Sequence, residues 1–339
     1  MRELVSVAPD GAELFVEGRV VRLAGLAPER AYEVDGVSFR TTDDLGEVLC
    51  TFATANDVHF GETVCGQLGD ETAFEVFRTP EGSTPYPEVM NAAVVTDMAA
   101  IEPDCVVVKG DLTDDGEDED YARFLEVWGD AFGDRLVHVR GNHDCYRGQA
   151  YAAWPWQARV LEGVTLALLD TSRPRTPAGD LDADQLAWLD ELGATTDRPV
   201  VVLGHHQVFD PERDGRDRGF QGLAPAASAA LVETLARRPA LCAYLCGHTH
   251  RNRRQWLGGR PCVEVACVKD FPGGWAEYRV CERGIAQVFH RAAAPAAIAW
   301  AETTRGMFAG LYAGYAMGRL EDRSFVIGTD LARRAVPST

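Results

Sequence analysis

The chain has 339 residues, 46% of them hydrophobic and 25% charged, with 52 acidic against 33 basic side chains. That length can bury a large core and suits one sizeable domain with accessory pieces. The formal net charge of −19 repels phosphate backbones and anionic lipid, so general nucleic-acid or membrane-surface binding is disfavoured, and an anionic small ligand would need a local reversal of sign.

The opening stretch "MRELVSVAPDGAELFVEG" has no long apolar core and no small-residue cleavage signal, so no export peptide is expected. No uninterrupted apolar run is long enough to span a bilayer. Nine cysteines, several in apolar strand-like runs, read as buried free thiols of a reduced, cytoplasmic protein. Cys242 and Cys246 lack the second pair that a zinc knuckle needs.

Residues 1–47 alternate short β-type runs with turns such as Pro9-Asp10-Gly11 and Asp35-Gly36, which predicts a small antiparallel β module. From 48 to 292 the pattern changes. "VLCTFATA", "CVVVK", "RLVHV", "VTLALL", "VVVL" and "LCAYLC" read as strands, with amphipathic helices over "PEVMNAAVVTDMAA", "EDYARFLEVWGDAF", "DADQLAWLDEL" and "PAASAALVETLARR". Such alternation predicts an α/β class with a parallel or mixed sheet covered by helices. Later β-type runs, "RRQWL", "CVEVACV", "AEYRVCE" and "IAQVFH", predict a second sheet or an extension. Residues 293–339 form the third part, a helical extension with an irregular tail. Its Trp300, Met307, Phe308, Leu311, Tyr312 and Tyr315 could form a packing stripe or, alternatively, a homodimer contact.

Ligands of α/β sheets bind at the carboxyl ends of strands, and there the polar residues cluster. "CTFATA" is followed by Asn56, Asp57 and His59, and "CVVVK" by Gly110-Asp111. "LVHVR" leads into Gly141-Asn142-His143-Asp144, "VVVL" into Gly204-His205-His206, and "YLC" into Gly247-His248-Thr249-His250. Six of the eight histidines fall in these clusters. Each piece alone is commonplace. Five together, all of metal-ligand types, predict a metal site.

In this order the motifs resemble the signature of the calcineurin-like metallophosphoesterases, and the segment "LLDTSRP" with "GDLDADQLAWLDEL" is similar to their bacterial cyclic-nucleotide phosphodiesterase branch. The stretch "VVRLAGLAPERAYEV" to "SFRTT" looks like the fibronectin-type domain that precedes some phosphatases of the superfamily. The resemblance implies a four-layer fold, two mixed β-sheets flanked by helices. It also implies two divalent ions (Mn, Fe or Zn) and hydrolysis of a small phosphodiester by a metal-bridging hydroxide. A phosphomonoesterase or glycerophosphodiesterase on the same centre is the alternative; a scaffold without activity is the reading from another class.

On this resemblance one ion takes Asp57, His59, His250 and an oxygen of Asp111; the other takes Asn142, His205, His248 and the shared Asp111. With both carboxylates and a hydroxide the centre keeps a charge of about +1, enough to attract an anion. His143 is implied to face the phosphoryl group as electrostatic stabiliser or acid, and Asp144 could hold its tautomer or simply be solvated. The chain departs from the family's usual His-His-Pro in having His205-His206-Gln207, so His206 is an alternative ligand or a substrate contact. Asp114 stands where purple acid phosphatases have a tyrosine, which argues against a coloured ferric centre. Arg216 and Arg218, in a loop after the His205 strand, could meet an anionic substrate or be solvated charges.

Overall fold

The computed structural model describes residues 1–67, 74–209 and 222–329. At the amino end, β1 (Arg2–Val7), β2 (Ala12–Val16) and β3 (Arg19–Leu23) form an antiparallel sheet, and β4 (Ala31–Val34) and β5 (Val37–Arg40) a separate hairpin. The hairpin turn is Asp35-Gly36, both at positive φ (51° and 74°). This pairing matches the twist of the flanking strands, and Asp and Gly tolerate it.

Two six-stranded mixed sheets follow. The first has the order β17-β16-β15-β6-β7-β8, the second β13-β14-β12-β11-β10-β9. In the first, β6 (Val48–Ala55), β7 (Cys105–Lys109) and β8 (Leu136–Val139) run parallel; β15 (Gly274–Cys281), β16 (Gly284–Arg291) and β17 (Ser324–Ile327) extend it in antiparallel fashion. In the second, β10 (Val164–Leu169), β11 (Val200–Leu203), β12 (Leu241–Cys246) and β14 (Arg260–Glu264) are parallel; β9 (Trp156–Leu161) and β13 (Arg253–Leu257) close its edges.

Strand periodicity explains the layering. Along β7, Cys105 and Val107 point into a core between the sheets with Phe52, Val139, Leu166, Val201 and Leu245. Val106 and Val108 point the other way, onto α1 (Tyr86–Ala99) and onto α2 (Asp118–Phe124), which runs through a π turn into α3 (Asp130–Phe132). On the far side, α4 (Ala183–Thr195) and α5 (Pro225–Arg237) cover the second sheet through Leu189, Leu231 and Leu235. Strands buried on both faces are therefore apolar throughout, which is why they were legible as continuous runs.

Three features differ from the sequence expectation. β9 is an extra edge strand whose alternate residues Ala158 and Val160 are exposed, so it carries no apolar run. The carboxyl-terminal stretch is not one helix: α6 (Pro295–Thr304) and α7 (Leu311–Met317) are separated by a bend with Phe308 and Ala309 at positive φ. After α8 (Leu320–Arg323), β17 then joins the first sheet beside β16. The aromatic stripe packs mostly inward: Met307 and Tyr312 are buried and Trp300 stacks on Tyr86, while Leu311 is exposed. Among the described residues no helix is long and apolar enough to cross a membrane, and all nine cysteines are buried and free.

Candidate metal centre

The carboxyl ends of β6, β7 and β8 from one sheet meet those of β11 and β12 from the other, and the five polar clusters meet there. The chain is bent sharply at this point: Asp57, His59, Asp111, His248 and His250 all have positive φ. Such backbone costs about 1–3 kcal/mol per residue and persists only where the surroundings impose it. Here the loops fasten one another. The N–H of Asp57 donates to Gly110 O, that of His59 to Asp111 O, and that of Gly247 to His205 O. Gly110 has no alternative at its position: a Cβ there would lie 2.5 Å from His205 Nδ1.

Asp111 is central. Its Oδ1 accepts the N–H of His143 at 2.9 Å. Its Oδ2 lies 3.5 Å from His59 Nε2 and 3.3 Å from His205 Nε2. On the His59 side stands Asp57, whose Oδ1 is 3.3 Å from His250 Nε2. On the other side, His205 Nε2 is 3.1 Å from Asn142 Oδ1, and the His205 and His248 rings are 5.1 Å apart. Asp57, Asp111 and His205 can thus share one ion, as can Asp57, His59 and His250.

The donor chemistry suits a cation. His205 Nδ1 sits 2.8 Å from Lys109 O and must donate to it, so its Nε2 presents a lone pair. That lone pair faces two further acceptors, Asp111 Oδ2 and Asn142 Oδ1. Nδ2 of Asn142 donates to Tyr146 Oη at 2.7 Å, which turns the amide oxygen to this side. Meanwhile both ring nitrogens of the buried His59 lack a hydrogen-bond partner. Without ions, only protons could relieve this. Although burial alone would lower their pKa values, the nearby carboxylates lift His59 to about 9 and His205 to about 8. Asp57 and Asp111 are held low despite burial, by His250 and His205 respectively. The residues fit divalent ions bound through mixed nitrogen and oxygen ligands.

His143 anchors its Nδ1 on the carbonyl of Asp114, so its partner is Asp114 and not Asp144. The buried Asp144 instead accepts the backbone N–H groups of Leu112, Thr113 and Gly141, tying the β7 loop to the β8 loop. His206 is engaged at both nitrogens, with Thr171 Oγ1 at 2.8 Å and Pro177 O at 3.2 Å. His205, by contrast, directs its Nε2 towards Asp111 Oδ2 at 3.3 Å and Asn142 Oδ1 at 3.1 Å. Arg216 and Arg218 lie outside the described residues.

Sequence reasoning passed over several residues. Lys109, fully buried, donates to Asn56 Oδ1 (2.8 Å) and Cys246 O (2.7 Å), and Asn56 in turn donates to Asp57 Oδ2 at 2.5 Å. Burial lowers its pKa to about 8. Lys269 is paired with Glu62 at 2.5 Å, and Glu62 lies 3.7 Å from His59 Nδ1. Asp270 lies 3.5 Å from His250 Nδ1. A lysine ending the apolar run "CVVVK", and "KD" after "CVEVACV", were the available signals: charges where the pattern calls for core.

The family model for calcineurin-like phosphoesterases matches residues 51–252. The chain belongs to that family. The fold and the hydrolase class expected from the five motifs stand with it. The chain is 26% identical over 198 residues to a probable cyclic nucleotide phosphodiesterase of Synechococcus, covering 54% of this chain and 74% of that protein. It is 28% identical over 180 residues to a cAMP/cGMP dual specificity phosphodiesterase of Mycobacterium tuberculosis, covering 50% and 55%. A glycerophosphodiester phosphodiesterase of Enterobacter lignolyticus is 28% identical over 181 residues, covering 47% and 61%. The alignments thus span little more than half of the latter two proteins. A dimetal phosphatase from Danio rerio shares the fold, with a TM-score of 0.57 at 15% identity over 83% of this chain and 99% of that one.

Proposed function

We propose that the chain is a dinuclear metal-dependent phosphodiesterase acting on small diesters of the cyclic-nucleotide kind. One observation carries the reading: a single oxygen of Asp111 stands 3.5 Å from His59 Nε2 and 3.3 Å from His205 Nε2, between two ligand sets. One ion would be held by Asp57, His59, His250 and Asp111, the other by Asp111, Asn142, His205 and His248. When bound, Mn, Fe or Zn supplies Lewis acidity and lowers the pKa of water towards neutrality.

The chain's own residues do the rest. Lys109 O orients His205, and Tyr146 turns the oxygen of Asn142 towards the site. Asp114 O holds His143 by Nδ1, which leaves Nε2 for the phosphoryl oxygens or the departing oxygen. As imidazolium, that ring can stabilise developing charge and give up a proton. Burial holds the pKa of His143 below its ordinary value, despite Asp111 nearby; an anionic phosphoester beside the ring favours the protonated form. Arg216 and Arg218 are the proposed cationic contacts of the substrate beyond the ions. The nine buried thiols suit a reducing compartment such as the cytoplasm.

The names of the Synechococcus and Mycobacterium relatives favour cyclic nucleotides; that of the Enterobacter relative keeps glycerophosphodiesters as the second reading. A hydrolysis panel of cyclic AMP, cyclic GMP, a glycerophosphodiester and a nucleoside monophosphate, with Mn, Fe(II) and Zn added separately, tests the choice. We expect chelator-sensitive turnover, with the highest kcat/KM for a cyclic nucleotide. A monoester cleaved faster than every diester would replace this reading with a phosphomonoesterase one.

A further inference from the structure

The segment beyond residue 293 lies outside the family match, which ends at 252, yet α7 meets the His250 loop at three points. Tyr315 Oη donates to Thr249 O at 2.9 Å, just before His250. Ala316 O accepts the N–H of Asn252 at 2.9 Å, just after it. The third contact is indirect. Tyr312 Oη donates to Asp270 Oδ1 at 2.6 Å, and Asp270 Oδ2 lies 3.5 Å from His250 Nδ1.

Asp270 is buried, and an ionised carboxylate there is costly unless its oxygens are satisfied. Tyr312 and Cys267 Sγ (2.9 Å) satisfy Oδ1. Oδ2 is left to the imidazole, with the weak thiol donor Cys65 at 3.7 Å. Tyr312 is itself buried among Cys65, Phe271 and Met307, so its hydroxyl has little freedom to turn elsewhere. A helix that only packed would present apolar atoms to this loop. α7 presents two hydroxyls and a carbonyl.

We propose that Tyr312 and Asp270 are positioning residues for His250, so that the carboxyl-terminal segment is a working part of the metal centre. The proposal rests on the reading of His250 as a metal ligand. With Asp270 receiving Nδ1–H, the His250 tautomer is fixed and Nε2 presents its lone pair towards Asp57. Such outer partners also raise the basicity of a ligand imidazole, and their loss typically costs about 10–100-fold in metal affinity.

The test is a titration of the full-length metal-free protein with Mn²⁺, and separately with Zn²⁺, against a chromophoric chelator. Tyr312→Phe removes one hydroxyl and keeps the ring. Its affinity for one of the two ions is expected to fall about 10–100-fold, with the other unchanged. Tyr278→Phe is the control, since it removes an equally buried hydroxyl whose partner is Gln287 at 2.8 Å in the core; both affinities should stay as in wild type. If Tyr312→Phe does not fold, Asp270→Asn carries the same expectation. Unchanged affinity for both ions in the variant that folds, whatever its thermal stability, overturns the positioning role. A wild-type protein that takes up no ion overturns the proposed function itself, and that result is visible before any variant is compared.

Discussion

Between Asn142 and His143 the side-chain direction changes, and the chemistry with it. Asn142 aims its oxygen at His205 Nε2, 3.1 Å away, whereas His143 is tied back to Asp114 O. Asn142→Ala should weaken one metal site, and excess metal should partly restore turnover. His143→Ala should keep both ions and lose about 10²–10⁴-fold in rate, with no rescue by metal. Nitrophenyl esters, whose leaving group needs no proton, should suffer less if His143 is the acid. An emptied metal site in His143→Ala would refute this division. At this scale the sequence was informative about residue types and less so about directions. The ligand candidates were legible because each cluster closes an apolar run, and four of the five open on a glycine (Gly110, Gly141, Gly204 and Gly247). The work of Asp144 was not, because its partners Leu112, Thr113 and Gly141 are backbone groups whose orientation exists only once two loops have folded.

Strands buried on both faces, such as β7, β10 and β11, were legible as apolar runs. β9 was missed because Ala158 and Val160 face solvent and leave it no apolar run, and β17 because its four residues carry too short a pattern of their own, whereas the edge strand β13 was legible. The amino-terminal sheet was legible from its turns, but its docking was not. That docking is apolar and ionic together: Val5 and Phe15 join the core with Ile285, Phe289 and Phe325, and His290 on β16 lies between Glu13 of β2 (2.8 Å) and Glu277 of β15 (3.0 Å), against the Trp275 ring. Arg22 pairs with Glu13 and Arg279 with Glu277. Burial alone would lower the pKa of His290, but the two carboxylates outweigh it and lift it to about 9. Glu277 is held down at about 2 by His290 and Arg279 against the effect of burial. The folded-state pKa of His290 exceeds its unfolded value of about 6.5, so its contribution is complete below that pH and fades as pH rises through about 9. The Tm should therefore fall between pH 7 and 10, and more steeply in wild type than in His290→Gln. Equal slopes would show that the module is held by its apolar contacts alone.

For the molecule as a whole, the two sheets meet back to back and their strand ends converge on one carboxylate. An acidic chain of net charge −19 needs local positive charge to bind an anion, and cations held at this centre would supply it. The ions would also join loops from both sheets, and the folded state should gain stability from metal in proportion to the logarithm of its concentration. The overall α/β layering was legible because alternating strands and helices leave few topologies; the convergence on Asp111 was legible only through the order of the motifs. The measurement that bears most directly on this account is metal content per chain, by elemental mass spectrometry, in wild type and in Asp111→Ala prepared side by side. The account predicts two ions in wild type and one or none in the variant, with hydrolysis lost. Two ions retained in Asp111→Ala with normal turnover would contradict it.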